Sequence, residues 1–308
     1  MSTNKRLGKG LEDISHLFLS GGTAPSMNPV PPSTETGPRP PESRIRVWLS
    51  LSLVPQLPSA FFSANLGVEL ARAGRRVLAI ETAALPSTDE VLGTVQIQPS
   101  LNELLEQPEK QLTVDGPMGL KILGFQLRFD ELQEFAAEEQ EILSQVLRKE
   151  EEKAEMIWIH SDYLENDTLQ RWVRLVQGVV LTVDLNSTSL LRSYQACKFL
   201  YHARPDLRLS LVVFGKEDDE EALEGIKKLT EAANRFLGKS IEGYGMIPED
   251  SLVERSLAAR VPVTILAPTS RTASGFAGVA RNMLQADQER PESTESFYSF
   301  FDRLHRAG

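Results

Sequence analysis

Short, almost wholly apolar runs recur along this chain, each separated from the next by an amphipathic or charged stretch long enough to be a helix. The runs are Ile45 to Leu53, Arg76 to Ile80, Leu120 to Phe125, Glu155 to Ile159, Gly178 to Val183, Leu207 to Phe214 and Ile241 to Met246, with Pro262 to Leu266 as a last candidate strand. Strands without polar alternation are buried on both faces. Strands that alternate with helices build a parallel sheet with helices on both sides. The expected fold is therefore α/β, a doubly wound, mostly parallel sheet, and ligands in such folds sit beyond the C-terminal strand ends. Helices are predicted over Ser59 to Ala73, stopped by Gly74, over Asp130 to Lys149 with Phe129, Leu132, Phe135, Ile142 and Leu143 available for one face, over Leu169 to Leu175, over Ser189 to His202, over 216–237, and over Thr272 to Gln285.

The alternation starts only at Ile45. Before it, Leu7, Leu11, Ile14, Leu17 and Phe18 recur at helical spacing and Gly21-Gly22 would end that helix. Residues 24–42 then carry seven of the 18 prolines, a composition that cannot bury a core and reads as an extended linker. The expected organisation is a docking segment over 1–22, a Pro-rich linker over 23–43, an α/β domain over 44–285 and a tail over 286–308. In that tail Phe297, Phe300, Phe301 and Leu304 share one helical face. This face would pack on the domain, meet a partner, or enter a lipid interface.

Composition narrows the function. The net charge of −10 argues against broad nucleic-acid binding. Cys197 is the only cysteine, so no intrachain disulfide can form, and the count fits a reducing cytoplasm. No apolar run reaches a membrane span of about 20 residues. The four histidines, His16, His160, His202 and His305, form no metal-binding spacing, so neither a metal nor a cofactor is expected.

Four stretches, SANLGVELARAGRRVLAIETA, SLNELLEQP, VVLTVDLNSTSLLRSYQACKFL and the long run from Gly243 to Leu284, resemble in order and spacing the MinD/ParA superfamily of deviant Walker ATPases, in particular its MinD and FlhG branches. Against the family's phosphate loop, the deviant lysine falls on Val54. The loop glycines fall on Pro55, Gln56 and Pro58, the second lysine on Ser59 and the magnesium-binding Thr on Ala60. The residue that orients water falls on Ala83, after Glu81 and Thr82, the Walker B Asp on His160, and the base-recognising Asn on Phe214. Proline has no N–H and fixes φ, and no lysine is left for phosphate charge. The resemblance thus implies an inactive pseudo-ATPase. It would act as a scaffold or regulatory subunit of a bacterial envelope or motility machine through its N-terminal segment, with a homodimer and peripheral recruitment to the inner membrane left open. The alternative is a nucleotide-dependent switch with a remodelled ATP site. A DNA-bound partition adaptor is disfavoured by the acidic balance.

Overall fold

The computed structural model describes residues 45–82, 88–94, 112–126, 135–162, 167–184, 189–216, 220–288 and 300–307. Eight strands form one sheet in the order β3-β4-β2-β5-β1-β6-β7-β8. They are β1 Arg46–Ser52, β2 Val77–Glu81, β3 Thr113–Asp115, β4 Lys121–Gln126, β5 Met156–His160, β6 Gly178–Val183, β7 Arg208–Gly215 and β8 Glu242–Pro248. Every pairing is parallel except β3 with β4. The helices used below are α1 Ser59–Arg72, α2 Thr88–Leu92, α3 Ala137–Glu151, α4 Asp167–Leu175, α5 Ser189–Ala203, α6 Glu220–Ala232, α7 Leu252–Ala259, α8 Val263–Leu266, α9 Arg271–Gln288 and α10 Phe300–Ala307.

The central strand shows how two cores arise from one sequence. Side chains alternate across a strand, so Val47, Leu49 and Leu51 enter the core shared with α3, α4, α5 and α10, while Trp48 enters the core shared with α1, α7 and α9. The polar residues Ser50 and Ser52 have the parity of Trp48 and fall on the α1 side. Helix α1 is buried from Ala60 to Ala71, as expected of a helix apolar on nearly all sides and enclosed by sheet and helices. It ends through Gly74, whose φ of 85° suits the left-handed residue that closes a helix.

Several expectations need correction. The run Pro262 to Leu266 is not a strand. Pro262 begins the short helix α8, the Ile265 and Leu266 N–H groups return to its carbonyl, and the Thr264 N–H donates to Asn65 Oδ1 at 3.1 Å. Tertiary hydrogen bonding overrides the β propensity of Val263, Thr264 and Ile265. Helix α3 starts at Ala137, where the Glu139 carboxylate accepts the Ala136 N–H at 2.7 Å, and its buried stripe is Leu143, Val146 and Leu147. Ile142 is exposed, Phe135 packs against the core just before the helix, and Phe129 and Leu132 lie outside the described residues. The edge strand β3 and the helices α2 and α7 were not anticipated. Leu7, Leu11, Ile14, Leu17, Phe18 and Phe297 also lie outside the described residues.

The described part of the tail is a helix whose apolar face is used internally. Phe300, Phe301 and Leu304 are buried, and Phe300 stacks on Trp172 of α4 at 6.4 Å and 21°. The first two N–H groups of α10 donate to the Glu151 carboxylate at 2.8 and 3.2 Å, which satisfies amides that a helix start leaves open. Exposing such side chains costs about 1.5–3 kcal/mol each, so presenting this face to lipid would mean tearing out part of the core.

Glycine is required at 178, where β6 passes the Trp48 ring. A Cβ there would lie 2.4 Å from that ring. Gly178→Ala is expected to cost about 1–3 kcal/mol through overpacking, read as a lower denaturant midpoint with unchanged slope. Cys197 is fully buried, and burial pushes its thiol up to about 12. It should resist iodoacetamide in the native protein at neutral to mildly alkaline pH and react only in denaturant, as counted by intact mass.

Candidate functional site

Parallel register sets the strand ends at one level. Glu81 of β2 pairs with His160 of β5, Ser50 of β1 pairs with the same His160, and Ser52 pairs with Thr182 of β6. Beyond these ends the chain leaves β1 through Leu53 to Pro58 and enters α1 at Ser59. This is where the order of the sheet reverses, with β5 on one side of β1 and β6 on the other.

The connection is closed on itself. The Leu53 N–H donates to Thr182 O at 2.8 Å, the Val54 N–H to Ser52 Oγ at 3.3 Å and the Phe61 N–H to Pro58 O at 3.0 Å. Pro55 and Pro58 have no N–H to offer, and Pro58 stands at the helix N-cap without a capping side chain. Val54 and Ala60 are buried, and Pro55 and Gln56 are exposed.

Three residues from three elements meet at the mouth of this connection. His160 Nδ1 lies 2.7 and 2.9 Å from the two carboxylate oxygens of Glu81, and His160 Nε2 lies 2.9 Å from Ser59 Oγ. Glu81 Oε2 also accepts the Thr88 N–H at 2.8 Å. Thr82 donates to the His160 carbonyl through its hydroxyl at 2.8 Å and its N–H at 3.1 Å. The imidazole and carboxylate are buried, while Ser59 is half-buried. A carboxylate only accepts, so the bond to Glu81 puts hydrogen on Nδ1, and in that tautomer Nε2 accepts from the serine hydroxyl.

Directly after Ser59 and Ala60, α1 carries rings that pack on one another and on their neighbours. Phe214, at the end of β7, packs edge-on to Phe62 at 5.3 Å. Phe62 meets Phe61 at 5.3 Å, and Phe61 meets Phe276 of α9 at 5.7 Å. The Phe61-Phe62 pair follows the loop directly, a signal the sequence reading passed over. Neither Trp48 nor Trp158 belongs to this group of rings. Trp48 lies near the opposite strand ends, with the Arg208 guanidinium 4.8 Å from its ring centre and Tyr244 at 6.3 Å. The Trp158 indole donates to Ser63 under the middle of α1, at 3.1 Å to its carbonyl and 3.0 Å to its hydroxyl. Asp162 is exposed past the end of β5, and Ala83 is outside the described residues.

A parallel sheet with a strand–loop–helix unit at its reversal point is a doubly wound α/β fold, and its structural neighbours are of the P-loop nucleoside-triphosphatase type. No family model matches the chain. It is 23% identical over 223 residues to the antiactivator FleN of Pseudomonas aeruginosa, covering 72% of this chain and 80% of that one. The MinC:MinD cell division protein complex of Aquifex aeolicus is matched with a TM-score of 0.60 at 16% identity, covering 82% of this chain and 100% of the matched one. MinD of Pyrococcus horikoshii, solved with Mg-ADP, is matched with a TM-score of 0.57 at 17% identity, over 79% and 98%. The sequence match and the shared fold both point to similarity with proteins of the MinD/ParA superfamily.

A magnesium nucleotide does not fit the residues present. A phosphate cradle needs successive free N–H groups and a cation. Here two loop positions are prolines, two N–H groups are already paired, and 53–60 contains no glycine and no lysine. The Glu81 carboxylate is committed to an imidazole and an amide. Glu81→Ala would leave the His160 Nδ1–H and the Thr88 N–H without acceptors, each worth about 1–3 kcal/mol. Chemical denaturation should show that loss. Ser59→Ala should cost less, because the hydroxyl is half-exposed and only one bond is removed.

Proposed function

We propose that this chain is a MinD/ParA-type regulatory protein that does not hydrolyse ATP and works as a scaffold for a bacterial envelope or motility machine. One observation carries the reading. Ser59 and His160, which the resemblance aligns with the family's phosphate-binding lysine and Walker B aspartate, are hydrogen-bonded to each other, and His160 to Glu81. Opening that array for a ligand would break bonds among buried polar groups, and the loop offers no lysine in exchange.

The matched relatives support a regulatory role at the level of their names. One is called an antiactivator, and a structural neighbour is a complex of MinD with MinC. Relatives of this fold are also described as ATPases, so loss of that activity is specific to this reading. In the proposal, residues 1–22 are the segment a protein partner docks on, residues 23–43 are its tether, and the α/β body supplies the rigid platform. Among the described residues no helix is long and apolar enough to cross a membrane. Recruitment to a membrane would therefore come through a partner, since the apolar face of α10 is taken up by the core.

Titration calorimetry on the full chain with ATP, ADP and GTP plus magnesium, into the millimolar range, should give no saturable heat. A saturable heat overturns the reading and makes the chain a switch with a rebuilt site. Deleting residues 1–22 should leave the melting temperature unchanged while the full chain's co-purifying partner is lost. Undiminished recovery of that partner would remove the docking role from this segment.

A further inference from the structure

The array that closes the old phosphate position has a property that closure does not require. Its members stand in the order and at the distances of an acyl-transfer triad: a hydroxyl, an imidazole 2.9 Å away, and a carboxylate 2.7 Å beyond that ring. They come from three separate elements, Ser59 opening α1, His160 ending β5 and Glu81 ending β2. A plug made for packing would bury all three alike, yet only the hydroxyl-bearing residue is half-exposed while the base and the acid are buried. The carboxylate is itself held by the Thr88 N–H, so the imidazole is fixed in the tautomer that accepts a proton at Nε2. Ser59 is also the first residue of a helix of 14 residues. The open N–H groups and positive dipole end of such a helix favour negative charge developing beside them.

We propose that Ser59 is an activated nucleophile that accepts the acyl group of a small ester. Ser59 Oγ bonds to the ester carbonyl carbon as its proton passes to His160 Nε2. The carbon–oxygen bond to the alcohol then breaks, and the alcohol leaves carrying that proton. Water gives a proton to the same Nε2, attacks the acyl-serine carbonyl and releases the acid, and the proton returns to Ser59. The step needs no metal, nucleotide or redox partner. The small acyl group follows from the partial burial of Ser59, which leaves it only in part open to solvent. This activity goes beyond the regulatory reading and stands or falls separately from it, because nucleotide titration does not touch Ser59 acylation.

The test uses the full chain with a fluorophosphonate probe, followed by peptide mass spectrometry, and with p-nitrophenyl acetate followed by release of nitrophenolate. The expected result is one phosphonyl adduct on Ser59 and a nitrophenolate burst approaching one per chain. Both should be lost in Ser59→Ala and slowed at least about tenfold in Glu81→Gln, since loss of the orienting carboxylate costs triads up to about 10⁴. Circular dichroism would confirm that each variant is folded. No adduct on Ser59 in folded wild-type protein, under conditions that label a control serine esterase, overturns the proposal. An adduct formed equally fast in Glu81→Gln also overturns it, because the serine would then react without the relay. The wild-type reaction decides the matter even if a variant fails to fold.

Discussion

The Glu81–His160 contact depends on parallel pairing that sets two strand ends level, and most of what distinguishes this molecule depends on that contact in turn. The residues are far apart in sequence, but β2 and β5 are neighbours and their last residues are partners in the ladder. A buried imidazole beside a buried carboxylate is stable only when both are hydrogen-bonded, because an unpaired polar group in this environment costs more than the pair gains. Thr88 supplies a further partner to the carboxylate and Ser59 one to the ring, while Thr82 holds the His160 main-chain carbonyl. The loop after β1 offers an anion no lysine and contains two prolines, and α1 begins with Ser59 bonded to the His160 ring.

The far ends of the strands carry a different kind of polar order. Arg208 bonds to Glu242 at 3.1 Å and to Asp287 at 2.8 Å, and Asp287 also pairs with Arg46 at 3.2 Å. The guanidinium lies over Trp48, so the network ties β1, β7, β8 and α9 together through charge and ring contact. Beside it, burial pushes the Tyr244 phenol up to about 12, and the Arg208 charge pulls it the other way. The sheet is thus pinned at both ends. One end uses the hydrogen-bonded Glu81–His160 pair at the C-terminal strand ends, and the other uses ion pairs at a rim that solvent can reach.

The strands were legible because continuous apolar runs such as GVVLTV leave little choice of burial, and their observed bounds fall within a residue or two of the expected ones. What failed was short or tertiary in origin. A three-residue edge strand such as β3 has no pattern to read, and Val263 to Leu266 looks extended until Asn65 takes the Thr264 amide. At the site, the absence of glycine and lysine from residues 53–60 is plain in the sequence. The His160–Glu81–Ser59 bonds were not, because no local pattern links positions 59, 81 and 160. The Phe61-Phe62 pair was in plain view, but its role as filler became clear only with Phe214 and Phe276 beside it.

The stack of Trp172 on Phe300 has a practical side. The chain has three tryptophans, and all are buried in different surroundings: one against a guanidinium, one hydrogen-bonded under α1, and one against the C-terminal helix. Only the last faces α10. If that helix swings away, a single indole moves from a dry aromatic stack towards water, and its emission reddens while the other two stay as they were. The protein therefore carries its own optical gauge of whether its C-terminal helix is seated, legible without any attached dye.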